Sequence, residues 1–431
     1  MIEVLKTSDK DFRKKLQAIT SRGEADTSKV EDAVKEIITG IRRHGDKALF
    51  SYTNRFDGLS LDKKTIKVSD AEFRDARKVV SKDIVESLKL AAKRIEAFHR
   101  RQLEESWFFH EDDGVTLGQM VRPLERVGCY VPGGKAAYPS SVLMNVIPAR
   151  VAGVKEVVVC SPTPGGEVNP YVLVAAEIAG ADAVYKIGGA QAVAAMAYGT
   201  ASIPKVDKIV GPGNIYVATA KRLVFGVVDI DMIAGPSEIL VVADESANPA
   251  FIAADLLSQA EHDEMASSIL VTTSIKIADE TIKELTKQLK KLSRKEIAEK
   301  SLKDYGAVIL VNNLDEAAAI VNEIAPEHLE LSVDRPFELL PKIKNAGAIF
   351  LGHYTPEAVG DYLAGPNHTL PTGGTARFFS PLSATDFLKR SSILYYSEAS
   401  LKKIGGDAIR IAEAEGLTAH ANSVRVRLNN N

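Results

Sequence analysis

Between residues 156 and 351 the chain alternates short apolar runs with helix-patterned segments, and that alternation constrains the fold more than any other feature. The runs 156–160 (EVVVC), 183–187 (AVYKI), 208–210 and 227–230 read as buried strands, with helix patterns at 170–178, 191–198 and 214–225 between them. A second series has strands at 238–242, 268–272, 307–311, 329–333 and 348–351, and helices including 250–261, 275–291 and 314–324. A strand apolar on both faces must be covered on both, so this order predicts parallel sheets with helices on each side. Two such series in tandem suggest an internal duplication, although no repeat is visible in the letters.

The flanks differ. Residues 1–110 are mostly helical in pattern, and the segments 29–43 and 81–101 set apolar stripes against charged faces. His44, His99 and His110 occur singly there and read as surface or cap residues. Extended runs follow at 116–131, and the lysine-rich stretch 287–303 reads as an exposed helix and loop. The final stretch, 398–428, is helical, with breaks expected at Gly405-Gly406 and Gly416. It is too short to bury a core of its own and must pack on something else.

The 431 residues suffice for two or three domains, and 45% hydrophobic with 26% charged residues is a globular composition. A net charge of −3 supplies no general attraction to nucleic acid or anionic membrane. The two cysteines, Cys129 and Cys160, sit in separate hydrophobic contexts and form no CxxC or zinc-ribbon spacing. With no signal-like start and no apolar run long enough for a membrane span, cytoplasmic residence is the expectation.

Four turns are rich in glycine: 130–134, 188–191, 211–214 and 235–237. Ligands collect at such turns in open α/β sheets, and helix N-termini favour phosphates. No GxGxxG or Walker pattern is present, so a nucleotide would bind there in an atypical manner; the alternative is that these glycines only make tight turns. Ser237 lacks the GxSxG context of a nucleophile and reads as a polar contact at a strand start. The densest polar group is APEHLEL (325–331), where Glu327 and His328 stand at the mouth of a strand. Two adjacent groups of different pKa suit proton transfer, although a capped loop is the simpler alternative. The apolar helix pattern at 250–261 turns polar at its end, where Gln259 and His262 lie three apart on one face. Taken alone that is a frayed helix end. Glu357 and Asp361 are four apart, and Glu415 and His420 flank a turn at Gly416. Asp361, His262 and His420 are side chains of the type zinc prefers, but the HExxH of common zinc peptidases is absent.

Several long blocks carry a further reading: YVPGGKAAYPSSVLMNVIPA, KIGGAQAVAAMAYGT, VGPGNIYVATAK, DMIAGPSEILV, LLSQAEHD, APEHLEL, AGPNHTLPTGG and EGLTAHA. Through these blocks, in this order, the sequence resembles the histidinol dehydrogenases over roughly residues 30 to 425. The resemblance implies an α/β fold of two tandem incomplete Rossmann-like domains with parallel sheets, plus small helical N- and C-terminal segments exchanged in a homodimer. The implied divisions are 1–27 (N-terminal helical segment), 28–126 with 237–378 (zinc and substrate domain), 127–236 (NAD domain) and 379–431 (C-terminal helical segment).

The same resemblance implies one zinc ion per subunit held by Gln259, His262, Asp361 and His420. Glu415 and His420 would come from the second chain of the dimer. Glu327 would activate water and His328 would accept hydroxyl protons, acting as the catalytic pair. Ser237, Glu357, His368 and Glu415 would hold substrate together with His328 and the zinc ligands, and Tyr130, Gln191 and Asn214 would contact NAD+. The implied reaction takes L-histidinol to L-histidine through bound L-histidinal, using two NAD+ and one water, as the final steps of histidine biosynthesis. Three alternatives remain open: a zinc hydrolase using Glu327 as base, a non-catalytic nucleotide-binding protein, and a dehydrogenase for another amino alcohol. Glu357, His368 and Glu415 discriminate the last of these.

Overall fold

Short β-branched runs pair here as expected, in two parallel sheets. The computed structural model describes residues 2–21, 28–111, 114–133 and 138–429. In chain order the strands are β1 (Glu3–Lys6), β2 (Trp107–His110), β3 (Val115–Pro123), β4 (Arg126–Tyr130), β5 (Glu156–Cys160), β6 (Ala183–Tyr185) and β7 (Lys208–Val210). There follow β8 (Asp229–Ile230), β9 (Glu238–Ala243), β10 (Ser267–Thr272), β11 (Ala307–Leu310), β12 (His328–Ser332), β13 (Ala348–Leu351) and β14 (Leu388–Tyr396). One sheet has the order β6-β5-β4-β7-β8 and the other β1-β11-β10-β9-β12-β13, with every neighbouring pair parallel. Numbered within its own series, each reads 3-2-1-4-5, the dinucleotide-fold order without its sixth strand. The duplication invisible in the letters is therefore present in the topology. At positions 134–137 the first glycine-rich block lies outside the described residues, as do residues 22–27 of the N-terminal segment.

The helices begin where their caps dictate. Asn248 accepts the N–H of Ala250 ahead of Pro249 and starts the helix Pro249–Ala260. Asn214 accepts from Tyr216 and Val217 and starts Ile215–Val224. From the first helix Ile252, Ala253, Leu256, Leu257 and Ala260 pack with Ile239, Val241 and Leu270 of β9 and β10 in one core. Each such fully buried leucine or isoleucine contributes about 1.5–3 kcal/mol from area burial, an upper estimate because unfolded chains already bury some surface.

Several expectations shift. The strand expected at 183–187 ends at Tyr185, and that expected at 227–230 shrinks to Asp229–Ile230. The N-terminal segment, read as helical, opens with β1, which pairs parallel with β11 at the edge of the larger sheet. Four residues with one buried side chain, EVLK, carry too little pattern to announce a strand. His99 is fully buried, not a surface or cap residue; it falls four residues beyond Ile95 and eight beyond Ala91, on the helix's buried stripe. Its Nδ1 lies 2.8 Å from the Ile95 carbonyl. The helix expected to break at Gly405-Gly406 runs unbroken from Glu398 to Ala414. Gly405 serves close packing instead, since a Cβ there would lie 2.9 Å from Leu428 Cδ1. The break expected at Gly416 is present, at a left-handed φ of +76°.

The chain divides into two compact units, Met1–Gln102 with Leu124–Phe387, and Leu103–Pro123 with Leu388–Asn431. The first holds both parallel sheets. The second holds an antiparallel sheet ordered β14-β3-β2, running from Leu388 opposite Pro123 to Tyr396 opposite Val115, and the helices Glu398–Ala414 and Thr418–Leu428. Among the described residues no helix is long and apolar enough to cross a membrane.

Candidate active site

Ligands in open parallel sheets normally gather at the carboxyl ends of the strands. In the larger sheet the polar residues gather at the amino edge. β9 begins at Glu238 and β12 at His328, with His328 in register with Ile239. The helix Pro249–Ala260 follows β9 and returns to that edge, delivering Gln259 and, in the turn after the helix, His262. The short helix Glu357–Tyr362 contributes Glu357 and Asp361.

A single residue of β9 orients both members of the Glu327–His328 pair. The backbone N–H of Glu238 donates to Glu327 Oε2 at 2.9 Å, and its carbonyl lies 3.0 Å from His328 Nδ1. A carbonyl can only accept, so Nδ1 carries the hydrogen and Nε2 of the neutral ring is left as an acceptor. That Nε2 is buried and makes no hydrogen bond, with Asp361 Oδ1 3.8 Å away. Burial pushes the His328 imidazole down to about 4, against the opposing pull of Asp361, so the ring is neutral at pH 7. Carboxyl oxygens of Glu327 and Glu357 each lie 3.7 Å from Nδ1, and an ionised Glu327 would stabilise an imidazolium once a proton arrived.

Around this pair the acids are crowded. Glu330, on β12, accepts the N–H of Glu357 at 2.8 Å and hydrogen-bonds to the carboxyl of Asp255. Burial raises Asp255 to about 6 and holds Glu330 well above the usual carboxylate range, so the two behave as a carboxyl–carboxylate pair. Glu357 is likewise raised well above that range, first by burial and then by Asp361, Glu327, Glu330 and Asp255. With its amide oriented by hydrogen bonding, Gln259 donates its NH2 to Glu357 Oε1 and Oε2 at 2.7 and 3.1 Å. Among the described residues His328, Glu357 and Asp361 present ligand atoms all within 4.8 Å of one another. The charges named as acting on Glu357 are acidic throughout, which is the electrostatic setting a divalent cation relieves. N and O donors of this kind fit zinc.

His262 and His368 both act electrostatically on His328, which places them in its wider surroundings. His262 is exposed, His368 partly buried and Gln259 wholly buried. Ser237 precedes β9 at the same edge. Gln259, His262, Glu327, His328, Glu357, Asp361 and His368 are therefore brought together by the first unit. Glu415 and His420 belong to the second unit, where both are exposed. Three acids went unassigned in the sequence reading: Glu238, Glu330 and Asp255. A signal for them existed. Glu238 opens an otherwise apolar buried strand, Glu330 lies mid-strand in the wholly buried β12, and Asp255 lies one helical turn before Gln259.

The smaller sheet obeys the carboxyl-end rule. Tyr130 closes β4, the turn 188–191 follows β6, and Gly211–Asn214 follows β7. β4 and β7 are neighbours on either side of the point where the strand order reverses. The Tyr130 hydroxyl accepts the Gly189 N–H at 3.1 Å, tying two of these turns together. Tyr130 and Gln191 are buried, while Asn214 is exposed and uses its Oδ1 to cap Ile215–Val224. The helices Gly189–Tyr198 and Ile215–Val224 both start at this edge, so their N-termini suit a dinucleotide's phosphates. The turn 235–237 leads into β9 and belongs to the other sheet's amino edge.

Residues 20–428 match the profile of the histidinol dehydrogenase family. A histidinol dehydrogenase of Geobacter metallireducens is 60% identical over 428 residues, covering 99% of this chain and 98% of the relative. One of Aquifex aeolicus is 55% identical over 428 residues, 99% of each. The crystal structure of histidinol dehydrogenase from Elizabethkingia anophelis superposes with a TM-score of 0.93 at 39% identity, covering 99% of this chain and 98% of that one.

Proposed function

The chain belongs to the histidinol dehydrogenase family, and from that premise we propose that it oxidises L-histidinol to L-histidine with NAD+ and zinc, as a cytoplasmic homodimer. It is an oxidoreductase of histidine biosynthesis. The observation that carries the chemical reading is His328: a ring fixed in one tautomer, with a buried Nε2 that has no hydrogen-bond partner.

An alcohol releases hydride readily only as its proton leaves, and His328 Nε2 is the acceptor for that proton. The nearby carboxylates of Asp361 and Glu327 stabilise the imidazolium that results. Glu327, held by the Glu238 N–H, takes a proton from the water that adds to the aldehyde. His328 returns its proton to the aldehyde oxygen as the water adds, and so serves again as base for the hydrate's hydroxyl. Tyr130, Gln191 and Asn214, at the carboxyl edge of the smaller sheet, would hold NAD+, which would supply the hydride acceptor for each oxidation. Gln259, His262 and Asp361, with His420 of the second chain, would hold zinc, which would supply a template for the substrate's imidazole and amine nitrogens. Ser237, Glu357, His368 and Glu415, the last also from the second chain, complete the substrate's surroundings. Holding the aldehyde between steps keeps a reactive intermediate from escaping.

The decisive assay counts NADH formed per histidinol consumed, with and without a zinc chelator. Two NADH per histidinol is expected, with activity lost on chelation and restored by Zn2+. A ratio of one would remove the second oxidation, and indifference to the chelator would remove the metal. A zinc hydrolase would form no NADH.

A further inference from the structure

Gly211, just after β7, is held at both of its backbone polar groups by two side chains that the roles above do not use. Its N–H donates to Asp231 Oδ2 at 2.7 Å, and its carbonyl accepts from Lys221 Nζ at 2.9 Å. Lys221 is ion-paired with Asp231 Oδ1, and that oxygen also accepts the Met232 N–H at 2.7 Å. The two side chains are only 2% and 1% exposed. Lys221 comes from the last turn of Ile215–Val224 and Asp231 from the residue after β8, so three elements close on one residue of the turn.

That residue has no room to move. Gly211 has φ +109°, which favours glycine, and a Cβ there would fall 2.1 Å from the Tyr130 carbonyl oxygen. The turn is therefore pressed on the end of β4, and Asn214 follows three residues later. A fully buried ion pair is a costly way to gain stability, because a packed apolar pair of similar volume commonly does as well. What the pair adds is direction: one cation and one anion hold the N–H and the C=O of Gly211 in one geometry.

We infer that Lys221 and Asp231 are positioning residues for dinucleotide binding, holding the Gly211–Asn214 turn against Tyr130. This rests on the reading of that edge as the NAD+ site. The pair touches no cofactor atom; it acts through Gly211. Affinity for NAD+ is then sensitive to the clamp, whereas affinity for histidinol and for zinc, bound at the amino edge of the other sheet, is not.

The test uses the full-length, zinc-loaded enzyme carrying Lys221→Met with Asp231→Asn. Removing both charges leaves no unpaired buried ion, and the introduced amide oxygen can still accept the Gly211 N–H. The Gly211 carbonyl loses its donor, and the Met232 N–H loses the second carboxylate oxygen it donated to. Calorimetric titration with NAD+, without histidinol, is expected to show affinity weakened about 10- to 100-fold. Zinc content and KM for histidinol should stay within about twofold, because neither site adjoins the clamp. Unchanged NAD+ affinity in the folded double variant would overturn the inference and leave the pair a purely structural one. If the double variant does not fold, Lys221→Gln retains a neutral donor and should show an intermediate loss; no loss there overturns the inference equally. Asn214→Asp separates the underlying reading, since it keeps the cap oxygen but sets a negative charge beside the phosphates. If Asn214→Asp leaves NAD+ affinity unchanged, the turn is not at the cofactor site and both ideas fall. If it weakens binding and the double variant does not, only the positioning role falls.

Discussion

His328→Asn lowers kcat by about 10²- to 10⁴-fold, the usual contribution of a positioned general base, while zinc content stays at one ion per subunit. The asparagine NH2 can still donate to the Glu238 carbonyl, so the hydrogen bond that orients position 328 survives. What disappears is the lone pair at Nε2, the atom left without a partner in the buried site. The measurement pairs steady-state rates with metal analysis, because His328 also lies with Glu357 and Asp361 in a group able to hold an ion. Loss of zinc in the variant would make His328 a ligand and remove it as the base. Retained zinc with near-normal turnover would remove it from the proton transfer altogether.

Mixed dimers of Glu327→Gln and His420→Asn chains recover about a quarter of wild-type activity after joint refolding, although each parent is inactive alone. In a two-fold dimer with exchanged ends, each active site combines Glu327 of one chain with His420 of the other. Half of randomly reassorted dimers are mixed, and each mixed dimer has one site free of both changes. If Glu327 and His420 of one site came from a single chain, no mixture could restore activity. Mixtures as inactive as the parents would therefore end the claim of shared sites. Glu415 and His420 are both exposed in the second unit.

The candidate site was legible to different depths. Glu327 with His328, and Glu357 with Asp361, were found from adjacency and from helical spacing, which are local properties. Gln259 and His262 read as a frayed helix end until distant segments were set beside them through a family resemblance. Glu238 was passed over because its role is carried largely by the backbone: its N–H and carbonyl orient residues 89 and 90 positions away. No local pattern reports a partner at that distance. His99 is the opposite case, since its own stripe of Ala91 and Ile95 is visible in the letters.

Periodicity and composition were enough for the α/β class, for most strands and helices, and for the glycine turns at strand ends, because these follow from alternating apolar runs and from local caps. They could not yield the order of the strands, because pairing joins segments far apart in the chain. The long-range packing established that both series share the order 3-2-1-4-5. It also put the smaller sheet's turns at its carboxyl edge and the acid–imidazole cluster at the amino edge of the larger one. Burial did the rest: it makes His328 neutral, crowds Glu330, Glu357 and Asp255 into sharing protons, and so gives ordinary polar residues the electrostatics that a cation and a base would use.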